Sequence, residues 1–100
     1  MRLEQLKYIV TIAETGTFTE ASTRLFVAQP SISEAVHSLE KELHTKIFVR
    51  YRTGAIPTAQ GIKVIHHAQK ILNEVEEIKD LTLANATNIE GEINIGTICM

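Results

Sequence analysis

The first half of the chain places apolar and polar residues with the period of amphipathic helices. Apolar residues spaced three and four apart predict a first helix that ends near Gly16, because glycine tolerates a left-handed C-terminal cap. Thr17 and Thr19 are candidate N-caps of a second, short helix, and residues 26–28 predict a tight turn. Pro30 suits the first turn of a third helix, where its missing N–H costs nothing. The apolar faces of these helices are Leu3, Leu6, Ile9, Val10 and Ala13; Ala21 and Leu25; and Ile32, Val36, Leu39 and Leu43.

Past the third predicted helix, the apolar period changes to that of short strands. Residues 47–49 and 55–56 are β-prone and lie on either side of Thr53-Gly54, which predicts a hairpin turn. Pro57 cannot donate a ladder hydrogen bond, so it limits the second run to a short edge strand. The pattern therefore predicts a small two-stranded hairpin after the three helices.

A second amphipathic pattern begins after Thr58, the candidate N-cap of a long fourth helix. We expect this helix to span about 40 Å and to reach Asn85, with a break at residues 85–88. Residues 90–98 alternate in the manner of a strand. The apolar stripe of the helix falls at Val64, Ala68, Ile71, Val75 and Ile78, and is widened by Ile62, Ile65, Leu72 and Leu81.

The second and third predicted helices, joined by a turn of about three or four residues, form a helix-turn-helix pattern. Gln29, at the start of the third helix, has an amide that can form paired hydrogen bonds to adenine. Ser31 and Ser33 are placed to reach phosphates or base edges, and the helix N-terminus itself attracts phosphate. Arg50 and Arg52 on the hairpin would form a wing against flanking DNA. Helical hairpins with apolar cores are common, so this pattern alone leaves a purely structural helix pair as an open alternative.

Length, charge and cysteine content narrow the class of protein. The 100 residues allow one small domain, or a domain with one long element attached. A formal charge of −2 taken alone argues against a nucleic-acid partner, but residues 1–57 hold seven basic and six acidic side chains, whereas residues 58–100 hold three and six. The sequence has no apolar run long enough for a membrane span. A single cysteine excludes an internal disulfide framework and fits a reducing compartment.

An ordered series of short motifs gives the chain a family resemblance over residues 1–95. The motifs are Leu3-x-x-Leu6, Ala13-Glu14-x-Gly16-Thr17-Phe18-Thr19-x-Ala21, Leu25-x-x-x-Gln29-Pro30-Ser31-Ile32-Ser33, Leu39-Glu40-x-x-Leu43, Ile47-Phe48-x-Arg50 and Pro57-Thr58-x-x-Gly61. With these spacings the chain resembles the N-terminal part of a LysR-type transcriptional regulator. The resemblance implies a mainly α fold, in which a winged helix-turn-helix of three helices and a two-stranded β-hairpin wing is followed by a long dimerisation linker helix.

The resemblance also implies three parts and a function for the chain. Residues 1–58 would form the winged helix-turn-helix domain, with the helix-turn-helix at about 18–37, and residues 59–88 the linker helix. Residues 89–100 would begin an effector-binding domain, with a first strand at 92–98. Such a chain is a sequence-specific DNA-binding domain of a bacterial transcription regulator, which binds an interrupted palindromic promoter site as a dimer in the cytoplasm.

The partners implied by the resemblance are double-stranded promoter DNA and a second copy of the chain, with no membrane. A small-molecule effector is expected for the domain that this fragment lacks, whereas the fragment itself is expected to bind no cofactor. Tetramers and contact with RNA polymerase stay open for the full-length protein. The predicted DNA-binding residues are Thr17, Thr19, Gln29, Pro30, Ser31, Ser33, Glu34, His37, Arg50 and Arg52. The predicted dimer contacts are Val64, Ala68, Ile71, Leu72, Val75 and Ile78. The 57 upstream residues cannot cover so long a helix on both flanks, although a helical-bundle core is the alternative role for this stripe.

Several positions depart from the family pattern. Glu34 stands where a basic or amide residue is common, and it either accepts from cytosine N4 or is solvated away from DNA. His44 replaces a usual glycine, which predicts a locally different turn because a left-handed non-glycine residue costs about 1 kcal/mol. Arg52 lies one residue before the family's second wing arginine, which falls at Thr53. Pro57 replaces a usual leucine and should shorten the second wing strand.

Other functional classes have weaker support in the sequence. His37, Glu40 and His44 share one helical face at metal-ligand spacing, but metal ligands usually converge from several elements, and a surface ion pair is the simpler role for Glu40. Cys99 is either a redox sensor or a buried strand residue. The sequence has no nucleophile–base pair, glycine-rich phosphate loop or cofactor motif, so no enzyme is predicted. A module that docks a partner protein is the alternative from another class.

Overall fold

The structure, a computed structural model, describes residues 1–89 and confirms the mainly α fold class. Three short helices and an antiparallel two-stranded hairpin precede one long helix. The strand predicted at 92–98 and Cys99 lie outside the described residues. The elements are α1 (Leu3–Thr15), α2 (Phe18–Leu25), α3 (Gln29–Leu43), β1 (Phe48–Tyr51), β2 (Gly54–Pro57) and α4 (Ala59–Ile89).

Each of the three short helices is followed by a residue in the left-handed conformation. Gly16 ends α1 with φ 90°, as predicted, while Phe26 and His44 end α2 and α3 with φ 57° and 54°. The N–H groups of His44 and the next residue donate to carbonyls in the last turn of α3 at 3.3 and 3.1 Å. These hydrogen bonds offset the conformational cost of a left-handed histidine. The different turn predicted at His44 is therefore wrong, because the hydrogen bonds preserve the left-handed cap without a glycine.

Of the two candidate N-caps of α2, Thr17 is the one that caps the helix. The Oγ1 atom of Thr17 accepts a hydrogen bond from the N–H of Glu20 at 2.9 Å, and the extended backbone of Thr17 is that of an N-cap. Thr19 lies inside the first turn of α2, so its prediction as an N-cap is wrong. Its hydroxyl is thereby available for a contact outside the helix.

The core lies between α1, α2, α3, the wing and the start of α4. Its fully enclosed side chains are Ile9, Ile12, Ile32, Leu39 and Ile47. Phe18 and Phe48 add an edge-to-face ring pair with centroids 6.0 Å apart. This pair joins the start of α2 to the first strand of the wing, so the two elements are held in a fixed relation.

The ends of the apolar stripe predicted for α1 are wrong. Leu3 and Ala13 are exposed, whereas Ile12 is buried. The polar side chain of Gln5 is also buried, because its Nε2 donates to the carbonyl of Ala35 at 3.2 Å. The buried face of α1 thus includes a polar side chain and is shorter than the apolar spacing predicts at both ends.

The wing turn lies one residue earlier than predicted. Tyr51 pairs with Gly54, so residues 52–53 are the central pair of the turn and Gly54 begins β2. The wing lies against the α1–α2 loop, where a Cβ on Gly54 would come 2.6 Å from the carbonyl oxygen of Gly16. The N–H of the adjacent Ala55 donates to that same oxygen at 2.8 Å. Gly54 therefore allows a close approach that fixes the wing to the helical part of the domain.

The start of the long helix is capped as predicted. β2 ends at Pro57, which lacks the N–H that a longer strand would use. The Oγ1 of Thr58 accepts from the N–H of Gly61 at 2.9 Å and donates to the carbonyl of Lys46 at 2.6 Å. One hydroxyl thus caps α4 and joins it to the segment before β1.

α4 runs without interruption from Ala59 to Ile89, about 46 Å at about 1.5 Å per residue. The break predicted at residues 85–88 is wrong. Asparagine costs less than about 1 kcal/mol in a helix relative to alanine, and alanines at positions 84 and 86 favour helix. Among the described residues, no helix is both long enough and apolar enough to span a membrane.

The predicted stripe of α4 divides into two parts with different surroundings. The first part packs on the chain's own core, chiefly against α1. Ala68 is buried there, and Val64 and Leu72 pack against it. The prediction that Ala68 lies at a dimer interface is therefore wrong, because the upstream domain already covers it, whereas the partly buried Val64 and Leu72 stay predicted contacts. Ile71 and Ile78 are exposed and Val75 is half-exposed, and their role as dimer contacts stays a prediction.

Candidate nucleic-acid interface

The N-terminal half of α3 presents a polar face to solvent. Ile32, Val36 and Leu39 point into the core, and the residues between them face outwards. The N-cap position, Ala28, has no side chain that could accept a hydrogen bond from the first turn. Pro30 has no N–H, and the N–H groups of Ser31 and Ile32 already donate to the carbonyl of Ala28 at 3.0 and 3.2 Å, so side chains supply most of the donors on this face. The predicted contact residues on this face are Pro30, Ser31, Glu34 and His37, which are exposed, and Gln29 and Ser33, which are half-buried.

The hydroxyl of Thr19 orients the amide of Gln29. Thr19 Oγ1 donates to Gln29 Oε1 at 3.2 Å on the exposed surface. The oxygen of Gln29 keeps a second lone pair, and its nitrogen keeps two donors. Gln29 can therefore still offer one donor and one acceptor to the edge of a base. Thr19, one of the predicted DNA-binding residues, thereby holds that amide at the start of α3.

Arg50 is held by two contacts that the sequence does not reveal. Its Cζ lies 3.9 Å from the ring centroid of Phe18, and its Nη1 donates to Ser33 Oγ at 3.3 Å. An exposed contact of a cation with an aromatic face contributes about 0.5–1 kcal/mol. The guanidinium is therefore positioned beside α3 before any ligand arrives. The only sequence signal for this arrangement is the aromatic residue between Thr17 and Thr19 in the family motif.

One groove brings together predicted residues from three elements. It lies between the wing and the N-termini of α2 and α3, and its lining includes Thr17, Thr19, Gln29, Arg50 and Arg52. The hydroxyl oxygen of Thr17 accepts the hydrogen bond that caps α2, while its proton can still be donated to a ligand. The two arginines approach from the wing side. The groove thus combines hydroxyl and amide donors with two permanent positive charges.

Glu40 has a structural role that neither the metal nor the ion-pair hypothesis anticipates. Its Oε2 accepts hydrogen bonds from the N–H groups of Ile47 and Phe48 at 2.8 and 3.2 Å. Both predicted roles for Glu40 are wrong, since the carboxylate fixes the start of β1. Within residues 1–89, no three histidine, cysteine or acidic side chains come together as a metal-binding group.

The charge distribution separates the interface from the acidic part of the chain. Lys46, Arg50 and Arg52 lie at the wing, whereas acidic residues concentrate at positions 74–80 of α4. Glu34 is the acidic side chain on the exposed outer face of α3's first half. The overall charge of −2 is therefore a poor guide to the potential at this surface.

The family comparison matches most of the described chain. The model of the bacterial regulatory helix-turn-helix protein, lysR family, matches residues 3–62. The HTH-type transcriptional regulator YvbU of Bacillus subtilis (strain 168) is 37% identical over 98 residues, which cover 97% of this chain and 34% of YvbU. The nitrogen assimilation regulatory protein nac of Klebsiella aerogenes is 33% identical over 96% of this chain and 32% of its own length. The chain thus spans about a third of the length of these curated relatives.

Solved structures share both the fold and the sequence pattern. The BenM_DBD/catB site 1 DNA complex matches with a TM-score of 0.81 and 31% identity, over 86% of this chain and 97% of that one. The CbnR_DBD–DNA complex matches with a TM-score of 0.79 and 34% identity, over 86% and 99%. The three helices, the wing and the long helix described above are therefore those of a winged helix-turn-helix domain. The chain belongs to the lysR family of bacterial regulatory helix-turn-helix proteins.

Proposed function

We propose that this chain is a sequence-specific DNA-binding domain of a bacterial transcription regulator, which uses α3 to contact bases and the wing to contact the backbone. The observation that carries the proposal is the exposed N-terminal face of α3 beside Arg50, whose guanidinium is held on Phe18 and Ser33. The solved structures named above support it, because they are DNA complexes of similar domains.

The exposed face of α3 fits the major groove in width and chemistry. Gln29 would pair with adenine through its amide, and Ser31 would reach a base edge or a phosphate. Glu34 would accept from cytosine N4, in which case its negative charge adds to sequence discrimination instead of to affinity. Arg50 and Arg52 would bind phosphates from the wing side, which places the protein on the duplex without selecting a sequence.

The proposal predicts selective, salt-sensitive DNA binding. The chain should retain a small set of fragments from a genomic library, and its affinity for them should fall about ten- to a thousandfold between low and physiological salt, because bound phosphates release counterions. Gel shift and fluorescence anisotropy measure both quantities. Uniform weak retention of all fragments, or binding insensitive to salt, would instead favour the docking of a partner protein.

The partner on α4 is, in our proposal, a second copy of the chain. Ile71, Val75 and Ile78 continue the apolar stripe past the part that α1 covers. Exposed apolar area of this kind usually marks an interface. Two copies joined there would present two α3 helices to the two halves of an interrupted palindrome, and the joined helices would set the spacing of the half-sites.

Val75→Glu should convert the dimer to a monomer. A carboxylate placed in an apolar contact would lose its hydration without gaining a partner. Light scattering should then report the mass of one chain, and circular dichroism should show an unchanged helix content. The matched control is Asn73→Glu, which adds the same charge at an exposed position off the stripe. A dimer that persists in Val75→Glu would exclude this part of α4 as the interface.

For the longer regulators of this family, we propose that a sensing domain follows α4, binds a small-molecule effector and acts in the cytoplasm. The relatives are about three times as long as this chain, which leaves room for such a domain. Tetramer formation and contact with RNA polymerase would belong to that longer protein.

A further inference from the structure

A second cleft lies between α3 and β1, on the other side of Arg50 from the groove described above. Its lining includes Ser33, His37, Glu40, Lys46 and Arg50. The three basic side chains come from α3, from the segment before β1, and from β1 itself, and all three are exposed. A site with cations from three separate elements favours an anion that fits between them.

The acidic residue in this cleft is already engaged with the backbone. Both N–H donors at the start of β1 point to the carboxylate of Glu40. With a neutral imidazole at position 37, the lining carries one net positive charge; with a protonated imidazole it carries two. His37 faces Lys46 and Arg50 across the cleft, and its neighbours one turn away on α3 are Glu34, Glu40 and Lys41.

We propose that this cleft binds a phosphate of the DNA backbone, that Lys46 and His37 hold it beside Arg50, and that binding takes up a proton on His37. The inference rests on the proposed function. It adds Lys46 to the predicted phosphate contacts, and it adds the uptake of a proton by His37 to the binding of DNA. A phosphate in this cleft would lie next to the α3 face that carries Ser33 and Pro30, since positions 30, 33 and 37 share one side of the helix. That continuity favours a phosphate of bound duplex over a free ion.

The affinity for DNA should depend on pH, because the charge of His37 changes with pH. Histidine is the side chain that changes charge between about pH 5 and 8. A phosphate bound beside the imidazole of His37 would favour its charged form. The complex therefore holds the proton more tightly than the free protein does, and the affinity for DNA must fall as pH rises through that range.

The first test measures the salt dependence of binding to short duplex DNA of mixed sequence, because phosphate contacts need no operator. Lys46→Ala should reduce the slope of log affinity against log salt by about one unit per protomer. Lys41→Ala, which removes the same charge from an exposed position on α3 that does not line the cleft, should leave the slope nearly unchanged. Equal slopes for the two variants would overturn the inference.

The second test measures the same binding between about pH 8 and about pH 6. We expect the affinity of the wild type to rise about three- to tenfold on acidification, and that rise to disappear in His37→Gln. His37→Arg, with a permanent charge, should bind tightly across the range, while His66→Gln on α4 should behave as the wild type. A wild-type pH dependence that His37→Gln retains would overturn the proton uptake.

A parallel measurement separates duplex phosphate from free phosphate. The ring signals of His37 in NMR spectra should shift to a higher titration midpoint with duplex DNA, and should not do so with inorganic phosphate at equal ionic strength. A response to inorganic phosphate and none to duplex would overturn the assignment to DNA. Failure of the wild type to bind DNA at all would overturn the proposed function, whereas failure confined to the Lys46 and His37 variants overturns this inference alone.

Discussion

Gly61→Ala should destabilise the domain by about 2 kcal/mol or more, although alanine is the better helix former. A Cβ at this buried position of α4 would overlap the backbone of Ile47, including its carbonyl oxygen. That backbone cannot easily move, because its carbonyl accepts from the N–H of Thr58 at 2.9 Å and its N–H donates to Glu40. Overpacking costs about 1–3 kcal/mol or more, against about 1 kcal/mol of helix propensity gained. In thermal melts followed by circular dichroism, we expect the midpoint to fall by roughly 8–16 °C.

The matched control is Gln60→Ala, one position earlier on the exposed side of α4. It makes the same change towards alanine without a contact at Ile47, so its midpoint should lie close to that of the wild type. All melts need the same protein concentration, because association of copies raises the midpoint. A Gly61→Ala midpoint at or above that of Gln60→Ala would show that the helix can move away from the wing segment.

Gly61 also shows what a family motif means in physical terms. The motif spacing from Pro57 and Thr58 to Gly61 places a cap, a helix start and a residue without a side chain in one turn. The hydroxyl of Thr58 donates to the carbonyl of Lys46, and Gly61 allows α4 to lie directly against the backbone of Ile47. From the sequence alone, the cap could be predicted, but the close approach could not, because it joins segments that are distant along the chain.

The fold could be predicted from the sequence to the extent that local rules determine it. The period of the apolar residues placed α3 and α4, and Gly16 and Thr58 marked a helix end and a helix start. The errors had local and tertiary causes. The left-handed cap at His44 is preserved by hydrogen bonds to the last turn of α3, and the stripe that begins at Val64 is partly covered by α1. Neither contact has a signature in local periodicity.

The sequence predicts which residues form the candidate site but not how their side chains contact one another. The hydroxyl oxygen of Ser33 accepts a hydrogen bond from Arg50, and the hydroxyl of Thr19 donates one to Gln29. Both residues therefore position other side chains, a role that residue type and spacing do not distinguish from direct contact. In the sequence Phe18 is only one position of a motif, yet its ring lies against the guanidinium of Arg50 on the wing.

Arg50→Ala should weaken binding to every DNA sequence by about ten- to a hundredfold. The substitution removes a charge-assisted hydrogen bond to phosphate worth about 1.5–3 kcal/mol, and about 1.4 kcal/mol corresponds to a factor of ten in affinity. Because Phe18 and Ser33 already hold the guanidinium, the wild type loses little side-chain freedom on binding, and the full effect should appear. The control is Arg24→Ala, which removes an equal charge from a side chain that pairs with Glu14 at 3.0 Å.

Gln29→Ala should change which DNA sequence is preferred, whereas Arg50→Ala should lower the affinity for all sequences. Phosphates are the same at every step of the duplex, whereas an amide pairs with adenine alone among the bases, at about 1–3 kcal/mol of discrimination. Binding-site selection with each variant should therefore return the wild-type sequence for Arg50→Ala, at lower affinity, and a sequence relaxed at one adenine in each half-site for Gln29→Ala. Thr19→Ala, which frees the amide from its 3.2 Å hydrogen bond, should partly relax the same position. A Gln29→Ala variant that selects the unchanged sequence would show that α3 discriminates bases through other residues, of which the exposed Glu34 is then the first to test.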